Sequence, residues 1–212
     1  MEEKKLNEQE SLALITSMIN DTRERLAENS GRPFLIWGYT SIAVSILEYA
    51  AQMLGWSNYW VLAWWLIPII GYTLMWLFCR KKEHTPKSYI DRSIESIWIV
   101  TGGTCLFAVI GNIMYGSLSM LLFSVVLLIG TGVTITGLII KDFTTAFVGS
   151  IASVFSLAFP IVHQFQLAAG ETGRHAISTN ILIFVAIFFV VLVIPGHILN
   201  CKNRKNKRCS KR

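Results

Sequence analysis

Six long apolar stretches constrain the fold of this chain more than any other feature. They run Phe34–Leu54, Tyr59–Cys79, Ile94–Met114, Met120–Ile140, Phe143–Val162 and Ile177–Leu199. A helix needs about 20 apolar residues to cross a hydrocarbon core about 30 Å thick, and each stretch is about that long. The strands of a membrane barrel would instead run about ten residues with strict alternation. We therefore predict an all-α, polytopic transmembrane helical bundle with six spans.

Composition agrees with that class, since 53% of the residues are hydrophobic and only 15% are charged. A cleavable signal peptide is not expected. The first 33 residues carry seven acids and five bases, and the first apolar stretch is already of spanning length. The first span is therefore predicted to be an uncleaved anchor.

The positions of lysine and arginine predict the orientation. With a cytoplasmic N-terminus, 18 of the 19 basic residues lie in cytoplasmic segments, and only Arg174 lies outside. We predict an inner (plasma) membrane protein with both termini in the cytoplasm. The basic tail at 200–212 then sets topology and attracts anionic headgroups. Nucleic-acid binding is not expected, because the tail lacks aromatic residues that would stack on bases.

Three regions follow from this pattern: a cytoplasmic amphipathic helix at 1–33, a six-helix transmembrane domain at 34–199 and the tail at 200–212. The helix is predicted to run from Glu8 to Asn29 and to be ended by Gly31 and Pro33. An apolar stripe recurs along it at helical spacing. Its members are Leu12, Ile15, Ile19 and Leu26.

This stripe predicts an interaction, because exposing it to water costs about 25 cal/mol per Å² of apolar surface. The membrane surface, a second copy of the chain or a cytoplasmic protein partner could cover it. Anionic lipids would repel Glu24 and Glu28, which favours contact with protein. The lipid bilayer itself is the other predicted partner of the chain.

The spans differ in polarity. The second and sixth are nearly free of polar residues, whereas the other four carry stripes of small or polar residues. Small residues let membrane helices approach closely. We therefore predict an inner ring made of the first, third, fourth and fifth spans, with the second and sixth more peripheral.

One carboxylate, that of Glu48, lies well inside the first span, about 21 Å from its cytoplasmic start. It belongs to a stripe with spacings of 3, 4, 3 and 4, formed by Gly38, Ser41, Ser45, Glu48 and Gln52. Exposure to lipid would cost at least about 2.5 kcal/mol. Glu48 is therefore predicted to face the bundle, within reach of the third or fifth span.

Two interpretations of Glu48 stay open. It could be a proton or cation site, or the counter-ion of a substrate; alternatively, it is a serine-bonded or protonated carboxyl that fixes helix pairing. His163 and Asn112 are its candidate partners. The candidate intramembrane polar site therefore consists of Glu48, Ser45, Asn112 and His163.

Enzyme signatures do not emerge from the sequence. It contains no HExxH, no GxSxG and no phosphate-cradling glycine loop, and the glycine-rich run Gly130–Gly137 lies inside a span. Cys79, Cys201 and Cys209 are predicted to face the reducing cytoplasm, and Cys105 lies in the third span. We expect a non-enzymatic protein with no cofactor, no metal and no disulfide framework.

The stretches ESLALITSMI and SGRPFLIWGY, within residues 10–39, resemble the start of a family of small, uncharacterised bacterial multi-pass membrane proteins. The resemblance covers about the first quarter of the chain. It implies a bacterial inner-membrane protein and supplies no catalytic residues.

Two functions follow as hypotheses. The first is a sensor or regulatory membrane component that engages a partner through the N-terminal stripe. The second is a small transporter or channel-like protein that uses Glu48.

Overall fold

The structure is a computed structural model that describes residues 8–56, 58–79, 89–115, 118–170 and 174–209. Within those ranges it contains helices and turns and no strand, which confirms the all-α prediction. The α-helices are α1 Glu8–Met53, α2 Leu66–Cys79, α3 Tyr89–Tyr115, α4 Leu118–Ile140, α5 Phe143–Phe155, α6 Ala158–Ala168, α7 Arg174–Phe188 and α8 Ile194–Cys209. A 3₁₀ segment, Asn58–Trp65, precedes α2, and a π-helical turn, Phe189–Val193, joins α7 to α8.

Within the residues that the structure describes, five helical segments are long and apolar enough to cross a membrane. They are Gly31–Met53, Arg92–Gly111, Leu118–Ile140, Phe143–Ala168 and Ala176–Cys201. Among the described side chains, the second apolar stretch contains an apolar helical segment at Leu62–Phe78.

The predicted end of the N-terminal helix at Gly31 and Pro33 is wrong. α1 is one helix of 46 residues with Pro33 inside it. A proline within a membrane helix is tolerated where neighbouring helices support the backbone. Gly31 serves close packing here, because a Cβ on it would lie 3.0 Å from the carbonyl oxygen of Gly196 and 3.1 Å from the amide of Asn200.

The last apolar segment, formed by α7, the π-helical turn and α8, packs antiparallel against α1 at the centre of the bundle. Gly31 meets Asn200, and Gly38 meets Val193. The predicted peripheral position of the sixth span is therefore wrong. Its buried apolar side chains are Ile181, Phe184, Phe188, Val191, Leu192, Val193 and Leu199. In a membrane, lack of polarity does not mark a lipid-facing helix, because lipid and core are equally apolar.

The third span is peripheral, which contradicts its predicted place in the inner ring. The predicted peripheral position of the second span agrees with its exposure, since Gly71 is the one buried residue within 62–78. Only 6% of the most apolar window of the third span is buried, against 44% for the first and last spans. A Cβ on Gly102 or Gly103 would meet no atom within 4 Å. Small residues thus face outward on α3. Thr101 is buried, 3.3 Å from the ideal Cβ position of Gly132 on α4.

The helices α4 and α5 form a tight hairpin. A Cβ on Gly137 would collide with the backbone nitrogen of Ala146, so the two backbones touch there. Lys141 makes the turn with a positive φ of 60°. Asp142 then caps α5 by accepting hydrogen bonds from the amide of Thr145 at 3.0 Å and from its hydroxyl at 2.6 Å.

Two prolines interrupt the later helices. Pro160 cannot donate to the carbonyl of Ser156, and the amide of Phe159 donates to that carbonyl at 3.2 Å, so α5 and α6 are separated by a turn. Pro195 is the second residue after the π-helical turn. Such turns accommodate a missing backbone bond within a helix.

Candidate functional site

The first span buries a polar stripe against the last apolar segment. Glu48 is 1% exposed and Ser45 is fully buried, while Ser41 and Gln52 are 2% and 6% exposed. These residues continue the face that carries Gly31, which contacts α8, and Gly38, which contacts the π-helical turn. Because α1 and the last segment run antiparallel, the stripe beyond Gly38 meets α7.

Glu48 is held by its own helix. The Nε2 of Gln52 donates to Oε1 of Glu48 at 3.0 Å. The hydroxyl of Ser45 donates to the carbonyl of Ser41 at 2.7 Å. Gln52 was predicted to lie on the stripe but not to be the partner of Glu48, although a spacing of four residues brings side chains together on a helix.

Three buried side-chain oxygens have no hydrogen-bond partner in the described part of the chain: Oε2 of Glu48, Oε1 of Gln166 and Oδ1 of Asn180. Both amides are oriented through their nitrogens. The Nδ2 of Asn180 donates to Oγ of Ser119 at 3.1 Å, and the Nε2 of Gln166 donates to the carbonyl of Ala176 at 3.4 Å. The oxygens of these two amides are therefore the atoms that have no described hydrogen-bond partner.

These oxygens lie toward one end of the bundle, which we call the Met53 end. Glu48 is close to the end of α1, Gln166 is close to the end of α6, and Asn180 is in the first turns of α7. Acceptors without donors can take a hydrogen bond or coordinate a cation, and a buried ionised carboxylate needs such a partner. This end of the bundle therefore contains three buried acceptor oxygens, one on each of α1, α6 and α7.

The two predicted partners of Glu48, His163 and Asn112, lie on α6 and α3. His163 lies half-buried on α6, and α6 packs against α4 and α7. The side chain of Asn112 lies outside the described residues. The hydrogen bond that the structure describes for Glu48 comes from Gln52, and the pairing with Asn112 or His163 stays a prediction. Asn180 and Ser119 were missed because Asn180 falls in the stretch treated as nearly polar-free, and no local spacing links residues on two helices.

Glu48 does not line either of two open clefts on the described surface. One of about 310 Å³ sits between α4 and α5, lined by Thr131, Thr134, Ile135, Ser150 and Ser153. The other, of about 280 Å³, sits between α6 and α7 and is lined by Val162, Phe165, Gln166, Ala169 and Thr179. Among the residues that the structure describes, no group of three His, Cys, Asp or Glu could hold a metal ion.

The beginning of α1 exposes apolar side chains over a wider surface than the predicted stripe. Leu12 is 64% exposed and Ile15 is 52% exposed, and Leu14 and Met18 are exposed as well. Ile19 and Leu26 lie in the same helix, but their side chains fall outside the described residues. We call Leu12, Leu14, Ile15 and Met18 the apolar tip.

No family model, curated protein or solved structure matches this chain. The resemblance carried by residues 10–39 therefore stays a prediction.

Proposed function

We propose that this chain is a six-pass inner-membrane protein, with both termini cytoplasmic, that acts as a non-enzymatic sensor or regulatory component and binds a partner protein through the start of α1. The observation that carries the proposal is the continuity of α1. One helix bears both the exposed apolar tip and the buried Glu48. Binding of a partner at the apolar tip and a conformational change around Glu48 would therefore both act on α1.

Ring contacts support the proposal that the 3₁₀ segment and α2 together cross the membrane as the second span. Trp64 contacts Phe184 of α7, with ring centroids 5.2 Å apart. Farther along, Tyr72 contacts Trp37 near the opposite end of the first span, at 5.3 Å. The 3₁₀ segment and α2 rise together about 37 Å, at about 2.0 and 1.5 Å per residue, which is enough for the hydrocarbon core.

The start of α3 supports the same path. Phe34, at the start of the first span, contacts Trp98 of α3 with ring centroids 5.9 Å apart. α3 therefore begins at the end of the bundle where α1 enters. The chain leaves the first span at Met53, which supports a return of the segment between them across the bundle. This connectivity favours six crossings and termini on one side.

The length of α1 favours a protein partner over the bilayer. The helix begins 23 residues before Gly31, which at about 1.5 Å per residue is about 35 Å. A helix that continues a membrane span carries the apolar tip away from the membrane surface. A docking groove for an amphipathic helix on another protein would cover it.

Site-specific photo-cross-linking from position 11 in cells tests this proposal. We expect a protein adduct of discrete mass that is lost when Leu12 and Ile15 are both replaced by serine. The matched control is Gln9→Ser with Thr16→Ser, which changes polar side chains of the same helix and should keep the adduct. An adduct that survives Leu12→Ser/Ile15→Ser, or adducts to lipid alone, would contradict partner binding.

A second function, as a small transporter or channel-like protein, is favoured by one observation, the unpartnered Oε2 of buried Glu48. A cation or proton that crosses the bundle could use this acceptor. Flux of H⁺, Na⁺ and K⁺ into proteoliposomes tests it. Transport that is abolished by Glu48→Gln but kept by Ser45→Ala would establish this function, and equal flux in both variants would exclude a role for Glu48.

A further inference from the structure

We propose that Arg32, Tyr39 and His197 bind the phosphate of an anionic phospholipid, in the leaflet where the first span begins and the last one ends. We call these three residues the headgroup site. This binding goes beyond the proposed function, because the ligand is a lipid and the apolar tip takes no part in it. It depends neither on the number of crossings nor on which side the termini lie.

Tyr39 and His197 join the first and last spans at the surface of the bundle. The hydroxyl of Tyr39 lies 2.8 Å from Nε2 of His197, and the two rings meet edge to face with centroids 6.1 Å apart. Tyr39 is 50% exposed, and His197 is exposed as well. Among the described residues, this polar contact between two spans is therefore open to lipid.

The hydrogen bond between these side chains leaves one donor unused in either tautomer of His197. If the hydroxyl of Tyr39 donates to Nε2, the remaining donor is the Nδ1–H of the ring. If Nε2–H donates, the remaining donor is the hydroxyl. Neither side chain has a second hydrogen-bond partner in the described part of the chain. The pair can therefore donate to a phosphate oxygen, which is a strong acceptor.

Arg32 adds a positive charge on the same face of α1. It is exposed and lies seven residues before Tyr39, which at about 100° per residue is nearly the same direction. The two Cα atoms are about 10 Å apart along the helix axis. Side chains lean toward the N-terminus of their helix, so Tyr39 leans toward Arg32, whose long side chain is flexible. A guanidinium binds phosphate through two parallel N–H donors.

The two spans that form the headgroup site carry no acid near it. Within 31–53 and 176–201 the one acidic residue is Glu48, sixteen residues or about 24 Å beyond Arg32 along α1. Within the spans, the site therefore combines hydrogen-bond donors and a positive charge with no carboxylate. A zwitterionic headgroup would bring an ammonium group that these residues cannot pair, which favours a lipid of net negative charge.

Apolar side chains lie exposed next to the headgroup site, toward the membrane centre. Ile46 is 55% exposed and follows Tyr39 by seven residues, on the same face of α1. On the last apolar segment, Val190 and Ile194 are 43% and 39% exposed. Acyl chains can cover this surface when the phosphate is bound at its end. The arrangement thus fits both parts of a phospholipid, whereas free phosphate would use only one.

Native mass spectrometry of the full chain in detergent micelles, titrated with phosphatidylglycerol or phosphatidylcholine, tests the proposal. The unmodified chain should bind phosphatidylglycerol more tightly. Tyr39→Phe with His197→Phe keeps two aromatic rings but removes both donors, and should weaken binding of phosphatidylglycerol at least about tenfold, since hydrogen bonds to charged groups are strong. Arg32→Gln leaves that hydrogen bond in place and should weaken binding as well, so it tests the site even if the double variant does not fold.

The matched controls are Tyr72→Phe and Arg92→Gln, which change another exposed tyrosine and another exposed arginine. Both should bind phosphatidylglycerol as the unmodified chain does. Adsorption of the lipid to the basic tail alone would instead give equal affinity in every variant. Excess inorganic phosphate should not displace the lipid, because it gains no contact with the apolar surface.

Four results would overturn the proposal: unchanged affinity in Tyr39→Phe with His197→Phe or in Arg32→Gln, an equal loss in the controls, no preference over phosphatidylcholine, or displacement by inorganic phosphate. The photo-adduct at position 11 should be the same in all of these variants. Loss of the adduct in the partner-binding test would leave the lipid affinities unchanged, so the two proposals fail independently.

Discussion

The Nε2 of Gln52 donates to Oε1 of Glu48 at 3.0 Å, and both side chains are buried. The single carboxylate inside the first span is therefore oriented by the next turn of its own helix. Its second oxygen is buried without a described partner. One oxygen is thus fixed and the other is available as the acceptor that the proposed transport function would use.

We expect Gln52→Leu to lower the free energy of unfolding by about 1–3 kcal/mol, because it removes the donor from a buried acceptor. Glu48→Leu should cost a similar amount, since it leaves the amide of Gln52 unpaired. The double variant should be less destabilised than the two effects combined. Equilibrium unfolding in mixed micelles measures all three. Additive effects would contradict a direct bond between these side chains.

The control for this pair is Ser45→Ala, on the same buried stripe. The hydroxyl of Ser45 donates only to a carbonyl of its own helix among the bonds described, so its loss should cost less than either single variant. A loss as large as that of Gln52→Leu would mean that packing of the stripe, rather than the hydrogen bond, dominates the stability.

The hairpin of α4 and α5 should not tolerate a side chain at Gly137. Gly137→Ala places a methyl group against the backbone of Ala146, and overpacking of this kind costs about 1–3 kcal/mol. Gly103→Ala is the matched control, because a Cβ there meets nothing within 4 Å; it should be neutral or slightly stabilising. Unfolding of both variants in mixed micelles compares them, and equal effects would contradict the close contact.

Asp142 should stabilise the start of α5 through its carboxylate. Asp142→Ala removes the acceptor for the amide and hydroxyl of Thr145 and should cost about 0.5–2 kcal/mol. Asp142→Asn keeps a side-chain oxygen and should retain most of the stability. The same unfolding assay separates them. An asparagine variant as unstable as the alanine variant would show that charge, and not capping, is the important property.

The helical class and the burial of Glu48 were predictable from local patterns. Six apolar stretches predict membrane helices, and the regular spacing from Gly38 to Gln52 predicts a face turned away from lipid. Glu48 is indeed buried. Both properties depend on residues close together in the chain, so no tertiary information was needed.

The arrangement of the helices could not be predicted in the same way. The small residues of α3, such as Gly102, were predicted to form a packing face, but they face outward. The apolar helix α7, with Phe184, was predicted to be peripheral, but it lies at the centre of the bundle. Gly31 was predicted to end the helix, but it lies inside α1, where the absence of a side chain permits contact with α8. The same small residue can end a helix, face lipid or contact a neighbour, and only the partner helix decides which.

Topology tests the central claim most directly, because the proposed partner must meet the apolar tip in the cytoplasm. Reporter fusions at Gly170, after Lys82 and at the C-terminus distinguish six crossings from five. Six crossings with cytoplasmic termini predict an external signal at Gly170 and cytoplasmic signals at the other two positions. A cytoplasmic signal at Gly170, or an external signal after Lys82, would contradict the account.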